Sequence, residues 1–269
     1  MENARLEPVW SLLDATSLSG LVADWKQLPV SVRINDTGEV PQATAPLVGA
    51  AETILARARE QDGLRLTPSG FLNLRDVAAI FDAMPWDEAQ KDMIRHVCRV
   101  IHEGDFTALG LTRMILQKAG FLYRRKDHLI CRKGTRHAGA HYAEIVASAF
   151  WRTDLSEFDG VPLPHWPQDH IGVTLWAISA CGMQWSQPRQ LMTLTTLSHP
   201  TLERLDRNSL LAAFQLRVLR PLVWLGLLEM EPPWDFSASS TVRVRKTPLF
   251  DQTFAFDVSL REQPTGQVH

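Results

Sequence analysis

The sequence predicts a mainly α-helical protein with small β-hairpins, an α+β fold built from tandem winged helix-turn-helix units. Two observations predict this class. Helical and hairpin patterns follow each other in the order strand, three helices, hairpin, and the second half of the chain repeats this plan. The 269 residues are 45% hydrophobic and 22% charged. This ordinary globular composition excludes disorder, collagen and coiled coil as the main description.

Residues 1–62 are interpreted as an N-terminal docking segment. Trp10 and Trp25 lie in short apolar stretches, which suggests that they dock on another surface. A proline-bounded linker at 41–46 precedes a helix predicted over 47–60, where apolar residues recur at helical spacing.

The first winged helix, with a bridging helix, is predicted over 63–152. A short strand at 64–66 ends in a turn, after which Asn73 caps the first helix. A second helix is expected over 87–103, and a third is capped by Thr107 and ends at Gly120. The runs 121–124 and 128–131 flank a polar turn and predict a hairpin, which would be the wing. The bridging helix is expected over 141–152.

The second winged helix is predicted over 153–260, followed by a tail at 261–269. Helices are expected over 169–180, 187–194 and 208–225, and Pro221 predicts a kink or a new turn in the last of them. Strands are expected at 227–230 and 241–246. The helix end Leu116 to Leu122 matches Leu222 to Leu228, and 131–135 resembles 244–248, which favours a tandem repeat.

Three short stretches carry a resemblance to known proteins. They are the turn and helix start at 63–76, the Ala-Gly-Phe-Leu-Tyr-Arg-Arg element at 119–125, and the Lys-Thr-Pro-Leu strand at 246–249. They resemble motifs of uncharacterised bacterial hypothetical proteins, some of them plasmid-borne, with tandem winged-helix units. The resemblance covers about residues 63–250. It implies the fold, but its motifs are structural and assign no functional residue.

Charge is the sharpest functional signal in the sequence. The segment 113–136 has a net charge of +7, whereas the rest of the chain carries −9. Such segregation is the electrostatic footprint of phosphate contacts, so we predict binding to double-stranded DNA. Arg113 and Gln117 of the third helix would reach base edges in the major groove, and the wing would contact the backbone. The predicted DNA-binding residues are Arg113, Gln117, Lys118, Arg124, Arg125, Lys126, Arg132, Lys133 and Arg136.

Another interpretation is a protein-interaction adaptor or assembly subunit. A basic hairpin is often a solvated face or the partner of an acidic protein surface, and the net charge of the whole chain is only −2. The helix predicted over 208–225 is apolar on all sides, which predicts burial in its own domain or against a partner. Trp224 and Trp234 are the candidate residues of a protein interface, either with another protein or in a homo-oligomer.

The sequence offers little for catalysis, cofactors or metals. His137 and His141 are four residues apart, but the HExxH pattern is absent. No G-x-S-x-G, P-loop or G-x-G-x-x-G occurs, and Cys98 lies in a predicted helix whose valines suggest a core position. The acidic residues near 154–159 are interpreted as a solvated loop. We therefore expect no enzymatic activity, no cofactor and no metal.

The cellular setting is predicted from cysteines and hydropathy. Three cysteines, at positions 98, 131 and 181, are widely spaced and odd in number, which favours a reducing compartment over a disulfide framework. No apolar run reaches the 18 residues of a membrane span, and no targeting pattern begins the chain. A cytoplasmic bacterial protein without membrane contact is the expectation.

Overall fold

The computed structural model describes residues 7–135, 137–161, 165–197, 206–233 and 241–261. In these residues helices dominate and the strands form small antiparallel sheets. The predicted α+β class is therefore confirmed. The buried apolar side chains form one continuous core, to which the N-terminal segment and both units contribute.

The N-terminal segment contains helix α1 (Ala15–Leu21) and strand β1 (Val32–Ile34). The Trp10 indole donates a hydrogen bond to the Thr196 carbonyl over 3.0 Å, and the Trp25 ring stacks on His165 at 4.8 Å. Strand β1 pairs with a strand near the C-terminus, with Val32 opposite Phe256. This segment therefore packs on the second half of the chain.

The first unit begins with a helix that the sequence assigned to the docking segment. Its elements are α2 (Pro46–Glu60), β2 (Leu64–Arg65), α3 (Leu74–Ala83), α4 (Glu88–Val97), α5 (Thr107–Lys118), β3 (Leu122–Arg125) and β4 (His128–Cys131). Helix α2 packs against α5 and β4, and its apolar residues, such as Leu47 and Ile54, are fully buried. Helix α2 thus packs with the elements of the first unit, although the sequence assigned it to the docking segment.

At the helix ends of the first unit, one predicted cap is confirmed and two other predictions are wrong. The Asn73 side chain accepts a hydrogen bond from the Asp76 amide over 3.0 Å and caps α3 as predicted. The prediction that Thr107 caps α5 is wrong, because Phe106 holds the cap position and provides no side-chain hydrogen bond. Helix α4 ends at Val97 instead of reaching 103, since the following Cys98 is extended.

The early end of α4 changes the environment of its last residues. The segment after it is rich in β-branched side chains, which have lower helix propensity. Val97 and Val100 are 76% and 51% exposed, and Cys98 is only partly buried. The predicted core position of this cysteine is therefore wrong.

The second unit follows helix α6 (Tyr142–Trp151), which bridges the two units. Its elements are α7 (Ile171–Cys181), α8 (Pro188–Thr195), α9 (Arg207–Phe214), α10 (Arg220–Trp224), β5 (Leu228–Glu231), β6 (Arg243–Lys246), α11 (Pro248–Thr253) and β7 (Phe254–Phe256). The Tyr142 hydroxyl donates a hydrogen bond to the Leu225 carbonyl over 2.6 Å. Burial raises the pKa of this hydroxyl, so the bond is kept at any ordinary pH.

The predicted helix over 208–225 is interrupted in the middle. A π-helical turn, Gln215–Leu219, separates α9 from α10, and Pro221 is the second residue of α10. Because proline has no amide hydrogen and its ring clashes with the preceding turn, a wider turn is a common way to continue the helix. The apolar surface of this helix is buried inside the chain, as Phe214 and Leu222 illustrate.

The two units share the junction between their last long helix and the hairpin, with the same hydrogen bonds there. After α5, the Phe121 amide bonds to the Leu116 carbonyl over 2.9 Å; after α10, Leu227 bonds to Leu222 over 2.8 Å. Gly120 and Gly226 lie at these helix ends with φ of 77° and 74°, the left-handed conformation that favours glycine.

The strand pairing repeats as well. The first sheet has the order β2-β4-β3, and in the second an isolated bridge from Ser186 to Val244 takes the place of β2. Leu122 pairs with Cys131 and Leu228 pairs with Lys246. Cys131 therefore corresponds to Lys246, and the sequence alignment of 131–135 with 244–248 was displaced by two residues.

A buried ion pair joins the linker between the units to the second unit. The Arg217 Nε donates to the Asp159 carboxylate over 2.5 Å, and both side chains are at most 1% exposed. The same guanidinium donates to the Trp166 carbonyl over 2.7 Å. The prediction of a solvated acidic loop is therefore wrong for Asp159, which is the anion that balances a fully buried cation.

Removal of this buried cation is expected to destabilise the whole fold. Arg217→Ala leaves Asp159 buried without its charge partner, so we expect the free energy of unfolding to fall by about 3–5 kcal/mol. The control is Arg243→Ala, whose ion pair with Glu231 is half exposed on both sides and should contribute less than about 1 kcal/mol. Equal urea midpoints for the two variants would contradict this assignment.

Candidate nucleic-acid interface

The first sheet has one buried face and one solvent face. Paired residues of an antiparallel sheet point to the same side and alternate along each strand. Leu64 and Leu129 are opposite each other and fully buried, which fixes the inner face. The pairs that alternate with these buried ones point to the opposite side, which we call the outer sheet face. They are Arg65 with His128, Arg125 with His128, and Tyr123 with Ile130.

The hairpin tip places cations in solvent. Strands β3 and β4 are joined by a two-residue turn, Lys126 and Asp127, in which Lys126 has a φ of 56°. Arg124, Arg125 and Lys126 are exposed. The Arg124 Nε donates to the Lys126 carbonyl over 3.0 Å, so this guanidinium stays beside the turn.

A second group of cations lies at the opposite end of the sheet. Lys118, Arg132 and Lys133 are exposed, and the Arg132 guanidinium lies over Gly120, at the C-terminus of α5. In the part of the chain that the structure describes, no carboxylate forms an ion pair with these three residues or with Arg124, Arg125 and Lys126. Arg136 lies outside the described residues. Six of the nine predicted residues thus remain as exposed cations around one hairpin.

Asp127 is the single acid of the basic segment 113–136. Its carboxylate is 3.0 Å from the His128 Nδ1. A hydrogen bond from its own backbone amide and the contact with His128 lower the pKa of Asp127. The carboxylate is therefore ionised at neutral pH and reduces the positive potential at the hairpin tip.

The two residues predicted to read bases have another role. Arg113 is 9% exposed, its Nε forms an ion pair with Glu103, and its Nη1 donates to Gln117 over 2.7 Å. The Glu103 carboxylate also accepts the Leu72 amide over 2.7 Å. This correction has a plain cause: α5 lies between α2 and α6, so a helix expected in a DNA groove forms part of the core. Glu103, ten residues upstream of Arg113, had no signal in the sequence.

The outer face of the second sheet contrasts with the first. At positions that correspond to Tyr123 and Arg125 it carries Glu229 and Glu231. Glu229 accepts from Arg245 over 2.5 Å and Glu231 accepts from Arg243 over 2.8 Å. Its cations are therefore neutralised within the sheet, whereas those of the first sheet are not.

The remaining predicted residues do not form a site. Trp224 is 3% exposed and meets Trp86 edge-on at 4.8 Å, so it is a core residue and not an interface anchor; Trp234 lies outside the described residues. His137 approaches Glu52 and His141 packs on Phe121. Among the described residues, no cluster of three metal-ligating side chains occurs, and none of their helices has the length and hydrophobicity of a membrane span.

The comparisons with known proteins concern the first unit. Residues 43–143 match the family model described as Y4jL N-terminal domain. The chain is thus similar to this family from just before α2 to the start of α6, and the matched region includes two of the three stretches that carry the resemblance to bacterial proteins. The matched range therefore includes α2, which packs on α5 and β4. The searches of curated proteins and of solved structures returned no significant match.

The structural role of Arg113 can be tested by stability. Arg113→Ala leaves the Glu103 carboxylate, 2% exposed, without its cation, so we expect the free energy of unfolding to fall by about 3 kcal/mol or more. Lys118→Ala, on the same helix but exposed, should change it by at most about 0.5 kcal/mol. Urea unfolding followed by circular dichroism measures both, and an unchanged midpoint for Arg113→Ala would contradict the core role.

Proposed function

We propose that the chain binds nucleic acid through the hairpin of its first unit, and that it does so as a non-enzymatic winged-helix protein. The observation that carries the proposal is the difference between the two sheets. Their hairpins have the same register, but the second balances its arginines with glutamates, whereas the first leaves its cations exposed. Unbalanced cations around one hairpin favour a polyanionic ligand.

The mode of binding that these contacts support differs from the one expected from the sequence. Because Arg113 and Gln117 are engaged inside the protein, the third helix offers no arginine for base edges. The exposed cations of the hairpin are suited to phosphates, which give affinity without a choice of sequence. The proposal is therefore a wing that tracks the backbone, without base readout by α5.

The strand order supports the winged-helix interpretation of both units. In the first unit β2 pairs with β4, and in the second the isolated bridge from Ser186 to Val244 of β6 takes the same place. In both units the hairpin follows a helix that ends at a glycine, Gly120 or Gly226, which is the order expected of a helix and its wing. The match to a family model over 43–143 is consistent with the first unit as a separate module.

Salt-dependent binding tests the proposal. With a labelled duplex and fluorescence anisotropy, Arg125→Ala with Lys126→Ala should weaken binding and reduce the log–log salt slope by about 1.8, which is about 0.9 per lost phosphate contact. The matched control is Arg243→Ala with Arg245→Ala, which removes the same charge from strand β6 in the hairpin of the second sheet. That control should keep the wild-type slope.

Two outcomes would contradict the proposal. One is the absence of binding by the wild-type chain at low salt. The other is an equal loss in the two double variants, because a loss of that kind would reflect total charge and not the first hairpin.

Asp127, the acid at the tip of the hairpin, allows a substitution that should tighten binding. Asp127→Asn removes a carboxylate that repels phosphate, and the amide oxygen still accepts hydrogen bonds in the turn. We expect duplex binding about 2- to 5-fold tighter at low salt, from a screened surface interaction of roughly 0.5–1 kcal/mol. Weaker binding of this variant in the anisotropy assay would mean that phosphates do not approach the tip.

A protein partner is the second candidate function, and one observation favours it. Met93, Val97 and Val100, on α4 and just after it, are 67%, 76% and 51% exposed. We call these three exposed apolar side chains the apolar ridge. On another side of α4, Arg95 is paired with Asp82, Glu88 and Asp92, so this cation is balanced within the chain. Exposed apolar ridges with a polar rim are typical of protein contacts.

The ridge can be tested separately from the hairpin. If it mediates self-association, sedimentation of the wild-type chain should show an oligomer, and Met93→Glu with Val97→Glu should convert it to a monomer. A wild-type chain that is monomeric at every concentration tested would contradict assembly through this ridge.

A further inference from the structure

Tyr123 is an exposed aromatic residue of the outer sheet face, on the edge strand β3. It is 44% exposed. On the same strand and the same face, Arg125 lies two residues away, a spacing of about 7 Å. Arg65 and Arg125 flank His128 in one row across the three strands. An open ring beside exposed cations is the combination with which proteins hold unpaired bases and their phosphates.

The second sheet again provides the comparison. Glu229 takes the position of Tyr123 there. The aromatic side chain near that sheet, Trp185, has its ring covered by the Arg245 guanidinium at 4.6 Å. The ring face and the cation of the second unit are thus engaged with each other, while Tyr123 and Arg125 of the first unit both face solvent.

We propose that Tyr123 stacks on an unpaired base, so that the preferred ligand is a nucleic acid with a single-stranded portion next to a duplex. This inference rests on the proposed function and specifies its ligand. Arg125 would contact a phosphate next to the stacked base, and Arg65, in the same row two strands away, would contact a phosphate further along the nucleic acid. The cations of the hairpin tip would hold the adjoining duplex by its backbone. No base identity is required, because every base has a π face.

The alternative role for Tyr123 is structural. Its cross-strand neighbour is Ile130, and an aromatic ring opposite a β-branched side chain stabilises a sheet. Tyr123→Leu separates the two roles, since leucine retains apolar contact with Ile130 but has no π face. Tyr123→Phe is the complementary control, because it keeps the ring and removes only the hydroxyl.

The experiment compares a blunt DNA duplex with the same duplex carrying a single-stranded overhang that contains 2-aminopurine. We expect the wild-type chain to bind the overhang DNA more tightly and to quench the 2-aminopurine emission by stacking. Tyr123→Leu should bind the overhang DNA about 5- to 100-fold more weakly, without quenching, while its affinity for the blunt duplex is unchanged. Tyr123→Phe should behave as the wild type.

The outcomes separate this inference from the proposed function. Two results would overturn the stacking inference and leave duplex binding by the hairpin in place. One is equal affinity of the wild-type chain for blunt and overhang DNA. The other is that Tyr123→Leu still binds the overhang DNA and still quenches the 2-aminopurine emission. Absence of binding to either DNA would overturn both. Circular dichroism of each variant verifies that the sheet is folded, and Tyr123→Phe keeps the comparison valid if leucine disturbs it.

Discussion

A guanidinium is very costly to bury without an anion, and this constraint divides the arginines of the chain into two sets. Arg113 and Arg217 belong to the buried set. Each lies on the helix that precedes the hairpin of its unit, and each is paired with a carboxylate from a neighbouring loop, Glu103 or Asp159. These pairs fix the loops on the helices, and they also remove the helix arginines from any role at the surface.

The exposed set shows how one architecture can carry two different surfaces. The strands of both units have the same register, yet Tyr123 and Arg125 occupy positions that hold Glu229 and Glu231 in the second unit. Glutamates balance the second sheet internally. The first sheet keeps an unbalanced positive charge beside an open aromatic ring. The two sheets thus differ in surface charge through changes at a few strand positions.

Local signals in the sequence predicted the elements, whereas partners that are distant in the chain were not predictable. The Asn73 cap, the glycine ends at 120 and 226 and the hairpin turn each depend on a few neighbouring residues, and they appear where expected. The role of Asp159 depends on Arg217, 58 residues away. The sequence around Asp159 does not distinguish a buried carboxylate from one in a solvated linker. The basic cluster was visible as a run of charge, but the burial of Arg113 depends on how α5 is covered by α2 and α6.

The central claim is that the unbalanced cations of the first hairpin are the surface that contacts nucleic acid. Hydrogen–deuterium exchange of the full chain, with and without overhang DNA, tests it most directly because it reports on both sheets in one experiment. The account predicts slower exchange of backbone amides in 122–133 on binding and unchanged exchange in 228–231 and 243–246. Protection confined to the second sheet, or equal protection of the two, would contradict it.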